Sequence, residues 1–509
     1  MSNFLIKNCI KYLILPVTTL FLIYIPNICA AFNNKYTFIS TFKLYKKIKM
    51  DLAKCVALAL KNNRTIKNAY LSRIIQRYDL KVAEDEFVPD LFIKPSFKYD
   101  NSQLETQRFY TTEGGISFII KEKIPTGGEL SFIWANTAQS TMGDISQQEY
   151  NSSFELYFKQ PLLKKAGIPV ATAPLRISKL TEKINVLSLK DTLIDVITSA
   201  ILAYREFYQA YKELKIAEKS LEMAQEIMKV NKELLQAGRM APVDMIQAEA
   251  NLANQRFNLS RAKNAFDAAR LNLIKVLDID KNIFIIPIEK IKIKAFHPDF
   301  SKCIKIAFKN RPDYRIALLD LKIAKINLRV AKNNRLWDLY IEGGYNIRGV
   351  NKKGLFSAIN NSFDASNKDW YIGLGLTIPF GDLTLKQTYL NAEVNLRQTE
   401  INLQEIKENI EIEVMDAIRN VNMKLKQVEL AKRARRLAED KLRVEKEKLE
   451  AGRSTNFEVL TFQNDVITAR NNELYAIISY ENALTNLDRI LGTTLNTWNI
   501  SVETKRPKE

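Results

Sequence analysis

An internal duplication constrains this chain more than any other feature of its sequence. The tripeptide Ala-Gly-Arg occurs at Ala237–Arg239 and again at Ala451–Arg453. An earlier block, Cys55–Asn62, is repeated with the same cysteine, alanine, lysine and asparagine positions in Cys303–Asn310. Because these blocks keep their order in both halves, the sequence predicts two copies of one structural unit.

The spacing between the two copies reveals an insertion in the first half. Cys55 and Cys303 are 248 residues apart, whereas the later pair of prolines, Pro161 and Pro379, is 218 residues apart. The first half therefore carries 30 more residues than the second, between about Pro89 and Pro161.

Long helical hairpins are predicted in both halves. Glycine (16) and proline (14) are scarce in 509 residues, which favours long uninterrupted helices. Apolar residues recur at every seventh position before each Ala-Gly-Arg turn, with alanines three positions further on in the first half, as in packed helix pairs. These rows are Phe207, Leu214, Leu221, Met228 and Leu235, with Ala210, Ala217 and Ala224, and in the second half Leu430, Leu437 and Val444. The first long helix is predicted from about Ser178 to Ala237, roughly 90 Å in length.

Aromatic segments that mix apolar and polar residues at short range precede these helices and predict strands. They are residues 91–99, 116–124, 129–136 and 153–163 in the first half, and 340–347 and 370–380 in the second. Thr126–Gly128 is predicted as a hairpin turn, and a polar loop is predicted between the last two segments. The pattern suits transmembrane strands, but an ordinary soluble sheet remains an alternative.

The N-terminus has the pattern of a secretory signal peptide over residues 1–30. Lys7 and Lys11 precede an apolar run at Tyr12–Ile28, and alanines follow. A retained membrane anchor is the alternative, and Cys29 leaves lipidation open. Since no later apolar run approaches 18 residues, strands would have to cross any membrane.

The composition argues against catalysis and nucleic-acid binding. The single histidine, His297, excludes most zinc sites and Ser-His-Asp chemistry. Gly349–Gly354 has the glycine spacing of a phosphate-binding loop, but Leu355 stands where a lysine is required. The net charge of +19 comes from basic residues that are dispersed among acidic ones, which favours solvated helix faces. We predict no enzyme, cofactor, metal or nucleic-acid site, and small buried roles for Cys55 and Cys303.

Together these features resemble the outer-membrane efflux protein family, the TolC-like channels. The resemblance rests on the order of the repeated elements and on four short segments: Ala57–Asn63, the break at Val88–Asp90, and the strand ends Gln160–Leu163 and Ile378–Phe380. It implies an α+β membrane protein in which a duplicated unit builds a homotrimer. Each chain would give four strands to one outer-membrane β-barrel, continuous with a long periplasmic α-helical barrel of coiled-coil hairpins.

The resemblance also implies an organisation and a set of partners. We expect a signal peptide at 1–30, a first repeat at 31–281, an equatorial linker at 282–300, a second repeat at 301–492 and a C-terminal tail at 493–509. The partners would be outer-membrane lipid, a periplasmic adaptor protein and an inner-membrane pump. The function would be passive export of small molecules or proteins as the exit duct of a tripartite efflux or type I secretion system. The insertion is expected either to add two strands or to form an appendage, and four strands per chain is the prediction.

Site residues are implied at the hairpin tips. Ala237, Gly238 and Arg239, with Ala451, Gly452 and Arg453, match the adaptor-docking turns. Asp244 and Glu458 would ring the periplasmic aperture; these acidic residues could also simply favour helix N-termini through the helix dipole. Thr461 and Ser454 stand where the family often has an acidic residue and an arginine, which implies a weaker or different latch. The alternative function is a periplasmic coiled-coil adaptor or scaffold.

Overall fold

The computed structural model describes residues 47–104, 107–142, 147–238, 242–289, 291, 293–364, 367–451 and 453–502. The predicted signal peptide at 1–30 lies outside the described residues, as do the last seven residues of the tail.

The two halves share a common succession of elements, with additional strands in the first half and an additional helix between the strands of the second. The first half comprises β1 (Lys47–Met50), α1 (Leu52–Asn62), α2 (Arg64–Asp85), β2 (Asp90–Leu104), β3 (Gln107–Lys123), β4 (Glu129–Met142), β5 (Gln147–Pro161), α3 (Ile168–Ala171), α4 (Ala173–Gln236), α5 (Pro242–Leu277) and β6 (Phe284–Pro287). The second half comprises α6 (Phe300–Asn310), α7 (Pro312–Asn334), β7 (Asp338–Asn351), α8 (Leu355–Phe363), β8 (Lys368–Thr377), α9 (Leu383–Glu450), α10 (Asn456–Ile490) and α11 (Thr494–Thr497). Two short helices, strands and a long helical hairpin therefore occur twice.

The helical hairpin of the first half packs through the predicted row. Phe207, Ala210 and Ala224 are buried on α4. Phe207 and Ala210 lie in one buried cluster with Phe266 and Leu273 of α5. The 64 residues of α4 correspond to about 96 Å of helix, close to the predicted length. Cys55 and Cys303 are buried and unpaired in disulfides, as predicted.

In the second half the predicted row is not the one that packs against the return helix. Leu430 and Leu437 are each 59% exposed, while Val428 and Leu442 are buried on α9. The two rows are two residues out of step, which is about 200° around a helix. The long helix α9 therefore carries apolar residues on two faces. The row predicted from the sequence lies on the face that is exposed in the single chain.

The strands form one antiparallel sheet in the order β2-β3-β4-β5-β7-β8. This corrects the prediction of four strands per chain, because six strands lie in one continuous sheet. The insertion in the first half supplies the difference. Each strand is paired with the next one in this order, from the pair β2 and β3, where Asp90 lies opposite Lys121, to the pair β7 and β8, where Asp338 lies opposite Thr377.

The strands β3 and β4 form the inserted hairpin, and the turn between them is attached to the segment that follows β5. Gly127 adopts φ +98°, and the amide of Gly167 donates to the carbonyl oxygen of Thr126 at 2.9 Å. The hydroxyl of Thr126 lies 2.7 Å from Oε1 of Gln160 at the end of β5. The turn is thereby hydrogen-bonded to the segment that leads from β5 into the long helix, so the inserted hairpin is an integral part of the sheet.

The register gives the sheet two different faces. Alternate residues of a strand point to opposite faces, and directly paired residues share a face. One face, the apolar face, contains Leu91, Ile93, Phe97, Ile116, Phe118, Phe132, Trp134, Phe154, Leu156, Ile341, Ile347, Trp370, Ile372 and Leu374. The opposite face, the polar face, contains Lys94, Lys98, Glu113, Lys121, Glu129, Glu155, Lys159, Glu342, Arg348 and Asp369.

A short helix, α8, occupies the region where a polar loop was predicted between β7 and β8. It lies on the apolar face, where Phe363 contacts Phe154 with ring centroids 5.3 Å apart. Gly349 permits this approach, because a Cβ at that position would lie 2.0 Å from the carbonyl oxygen of Ala358. The glycine that suggested phosphate-binding spacing therefore has a packing role. Among the described helices, none combines the length and apolar character needed to cross a membrane.

Candidate functional site

The first hairpin tip is formed by the end of α4. The amide of Ala237 donates to the carbonyl of Glu233 at 3.0 Å, and the amide of Gly238 donates to that of Leu235 at 3.0 Å. Gly238 has φ +67°, and an added Cβ would meet no atom within 4 Å. Glycine is therefore favoured here by the left-handed backbone that ends the helix.

Two predicted residues of the first tip, Arg239 and Asp244, lie wholly or partly outside the described residues. Arg239 lies outside the described residues. Asp244 is in the first turn of α5, which begins at Pro242, but its side chain lies outside what the structure describes. The backbone position of Asp244, in the first turn of a helix, suits both a place at the aperture and an interaction with the helix dipole.

The second tip has the same helix ending. The amide of Ala451 donates to the carbonyl of Glu447 at 3.1 Å, and the amide of Arg453 donates to that of Lys448 at 2.8 Å. The second bond spans five residues, as in the Schellman ending of a helix. Gly452 lies outside the described residues.

Glu458 forms a capping box with Thr455 at the start of α10. Oε2 of Glu458 accepts the amide of Thr455 at 3.2 Å, while the amide of Glu458 donates to the Thr455 hydroxyl at 3.3 Å. These reciprocal bonds satisfy donors that a helix N-terminus otherwise leaves open. The helix N-terminus reading thus has a direct structural basis at Glu458, and the aperture role remains a prediction.

Ser454 connects the capping box to the preceding helix, which the sequence did not indicate. Its hydroxyl lies 2.6 Å from Oε1 of Glu445 and 2.9 Å from Oε2 of Glu458. Nζ of Lys448 lies 3.1 Å from the other oxygen of Glu445. The Ser454 hydroxyl, followed by Lys448, holds the pKa of Glu445 below its usual range. The residue expected to weaken the latch therefore makes a contact across the tip.

Thr461 lies one turn further along α10 and does not join this group. Its hydroxyl donates to the carbonyl oxygen of Phe457 at 2.8 Å, within its own helix. Of the predicted aperture residues, the structure therefore brings together Ser454 and Glu458, while Thr461 is satisfied locally.

Further along the hairpins, the buried Arg205 joins the two repeats, and the sequence analysis missed it. Its Nη1 donates to the backbone oxygen of Glu481 and to the hydroxyl of Thr485, both at 2.6 Å. Its Nη2 lies 3.2 Å from Oε2 of Glu481. Burial raises the pKa of Glu481, and the Arg205 charge opposes this shift. A pairing across 276 positions has no local sequence signal.

The groove between the two hairpins is lined by amide side chains together with apolar, hydroxyl and charged side chains. It has a volume of about 590 Å³ and lies between α4, α5 and α10. Nε2 of Gln255 on α5 and Oδ1 of Asn464 on α10 are 3.4 Å apart across it. Within the described ranges, no group of three or more histidine, cysteine, aspartate or glutamate side chains could hold a metal ion.

Solved structures share this fold at low sequence identity. The CmeC outer membrane channel of Campylobacter jejuni is 18% identical, with a TM-score of 0.66, covering 87% of this chain and 86% of that one. The outer membrane protein VceC of Vibrio cholerae is 12% identical, with a TM-score of 0.63 and coverages of 87% and 96%. The open state of the MtrE outer membrane channel of Neisseria gonorrhoeae is 17% identical, with a TM-score of 0.59 and coverages of 87% and 89%.

The family comparison matches the chain twice. The model of the outer membrane efflux protein family matches residues 55–278 and residues 303–493, one segment in each half. A comparison with curated proteins finds no match. The two family segments cover most of the chain, and the solved structures agree with them in fold. The chain therefore belongs to the outer membrane efflux protein family.

Proposed function

We propose that the chain is the subunit of a homotrimeric outer-membrane channel, the exit duct of a tripartite efflux or type I secretion system. The observation that carries this proposal is the division of the six-stranded sheet into an apolar face and a polar face. A strand wall between lipid and water requires such alternation. The alternative of a periplasmic adaptor is less well supported, because it provides no bilayer to cover the apolar face of the sheet.

The exposed row on α9 supports association with further copies of the chain. Besides Leu430 and Leu437, it includes Ile401, Met415 and Val444, all exposed in the single chain. Large apolar rows that remain open on a folded chain indicate an interaction surface. In a closed tube of helices from three chains, each long helix would pack on both sides, and this row would be buried.

Within this channel, we assign the tips to the periplasmic end. Ala237, Gly238 and Arg239 and, in the second repeat, Ala451, Gly452 and Arg453 would contact a periplasmic adaptor, itself bound to an inner-membrane pump. Asp244 and Glu458 would ring the aperture, with Ser454 and Thr461 beside them. The signal peptide at 1–30 would direct export, and the segment 282–300 would link the repeats. The chain itself would conduct cargo passively and catalyse no reaction.

The channel and the aperture can be tested by conductance in planar bilayers with a divalent cation added on the periplasmic side. The variant is Asp244→Asn/Glu458→Gln, because glutamine can retain the capping box while the charge is lost. Glu400→Gln, on the exposed surface of α9, is the matched control for loss of charge. We expect small, cation-blocked currents in the wild type and the control, and loss of the block in the double variant.

The possible failures are distinguishable. Equal block in all three proteins would contradict the aperture assignment but retain the channel. If well-folded trimers give no conductance, the channel proposal itself is wrong.

A further inference from the structure

The six-stranded sheet has two open edges. Within the described residues, β2 pairs only with β3, and β8 pairs only with β7. Both edge strands carry large exposed apolar side chains, with Phe97 76% exposed and Trp370 72% exposed. Open edges with unpaired backbone donors and acceptors are pairing sites, and inside a bilayer they cannot remain unpaired.

The two edges are complementary in direction. Because every neighbouring pair in the sheet is antiparallel and the sheet has six strands, β2 and β8 run in opposite directions. An edge-to-edge contact between two copies therefore continues the antiparallel ladder. An odd number of strands would have placed parallel strands at the contact.

The edges are also complementary in their faces. The apolar face includes Ile93 and Phe97 on β2, and Ile372 and Leu374 on β8. When β8 of one copy pairs with β2 of another, a register that matches these rows keeps one side of the combined sheet apolar. A register shifted by one residue would place charged Lys94 among the apolar side chains, so the pattern selects the matching set of registers.

We propose that β8 of each protomer pairs with β2 of the next, so that the trimer closes a wall of 18 strands. The occupant of each edge is a second copy of this chain. This inference rests on the homotrimer proposed above and specifies its wall. With about 4.8 Å between strands and a tilt of about 40°, 18 strands enclose a cylinder about 36 Å across, whereas 12 strands enclose about 24 Å.

The added strands cannot be set aside as an appendage. β3 and β4 lie between β2 and β5 in the sheet order, so their removal would divide the sheet. Their turn at Thr126–Gly128 has no helix of its own, yet it is hydrogen-bonded to Gln160 and Gly167 at the junction with the long helix. A wall of six strands per chain can therefore connect to the same two helical hairpins per chain.

The test is an electron cryo-microscopy structure of the full mature protein in lipid nanodiscs, with disulfide cross-linking as a second measurement. Ile93→Cys is combined in turn with Trp370→Cys, Ile372→Cys and Leu374→Cys, since opposed Cβ atoms in a sheet come within disulfide range. At least one combination should give covalent trimers under mild oxidation. Phe118→Cys with Trp134→Cys, paired within one chain, is the control and should give only monomeric products.

The outcomes separate this inference from the proposed function. A trimer with 18 wall strands and cross-links between β2 and β8 supports it. A trimer whose wall contains 12 strands, with β3 and β4 outside it, overturns the inference and leaves the channel proposal standing. Particles that are not trimers overturn the proposed function, and the 18-stranded wall with it.

Discussion

Substitution of Gly127 by alanine tests whether the inserted hairpin is anchored to the rest of the chain. The backbone of Gly127 has φ +98°, and an added Cβ would lie 2.4 Å from the carbonyl oxygen of Lys165. A non-glycine residue in such a region costs about 1–3 kcal/mol, before the close contact is counted. The contact is with backbone, so it cannot be relieved by a change of side-chain rotamer.

We therefore expect Gly127→Ala to weaken the anchored turn by at least about 2 kcal/mol, which is roughly a 30-fold change in a local equilibrium. Hydrogen–deuterium exchange reports local opening directly, without requiring reversible unfolding of the whole protein. The informative amide is that of Gly167, which donates to Thr126 across the junction. Exchange of this amide should accelerate by at least about 30-fold.

Gly114→Ala is the matched control, because it adds the same methyl group to the same inserted hairpin. A Cβ at Gly114 would meet no atom within 4 Å. Exchange at Gly167 should therefore be unchanged in this variant. Equal exchange at Gly167 in both variants and the wild type would refute the anchored turn.

Three further predictions concern the packing of the chain. Arg205→Leu removes the buried charge that joins the repeats, and it should destabilise the helical hairpins by about 3–5 kcal/mol in urea denaturation followed by circular dichroism. Arg419→Leu, at an exposed ion pair, should cost less than about 1 kcal/mol, and equal effects of the two variants would contradict the bridging role of Arg205. Ser454→Ala should speed amide exchange at the second tip at pH 7 but not in acid, because the Ser454 hydroxyl helps to lower the pKa of Glu445. A lowered pKa stabilises the folded tip above the unfolded pKa of Glu445, and this stabilisation is lost as the pH falls through the folded pKa. A pH-independent effect would exclude this linkage. Gly349→Ala should displace α8 and raise the amide exchange rates of this helix by about tenfold or more. Unchanged exchange would show that α8 does not depend on its close approach to Gly349.

Much of the helical architecture was predictable, because its signals are local and periodic. A few neighbouring turns of helix suffice to predict three features: the glycine at 238, the seven-residue row through Phe207 and the buried Cys55. The row through Leu430 was equally periodic but belongs to the exposed face of α9. Periodicity identifies an apolar row, but it cannot say whether the partner helix lies in the same chain.

The strand number and α8 were less predictable for physical reasons. A 30-residue excess was visible, but whether it paired within the sheet depended on register, which is set by contacts between strands. The segment of α8 is rich in serine and asparagine and suggested a loop, yet it packs as a helix over Gly349. The Ser454 contact was missed because it depends on the three-dimensional closure of the tip turn.

The central claim is that the sheet separates lipid from an aqueous lumen. Nitroxide labels at cysteines introduced at Ile93, Lys94, Glu155 and Leu156, in protein reconstituted into bilayers, measure this directly through collision with oxygen or with a water-soluble nickel complex. The account predicts that labels at Ile93 and Leu156 collide mainly with oxygen and labels at Lys94 and Glu155 mainly with nickel. Equal nickel accessibility at all four positions, or the reverse alternation, would contradict a membrane wall built from this sheet.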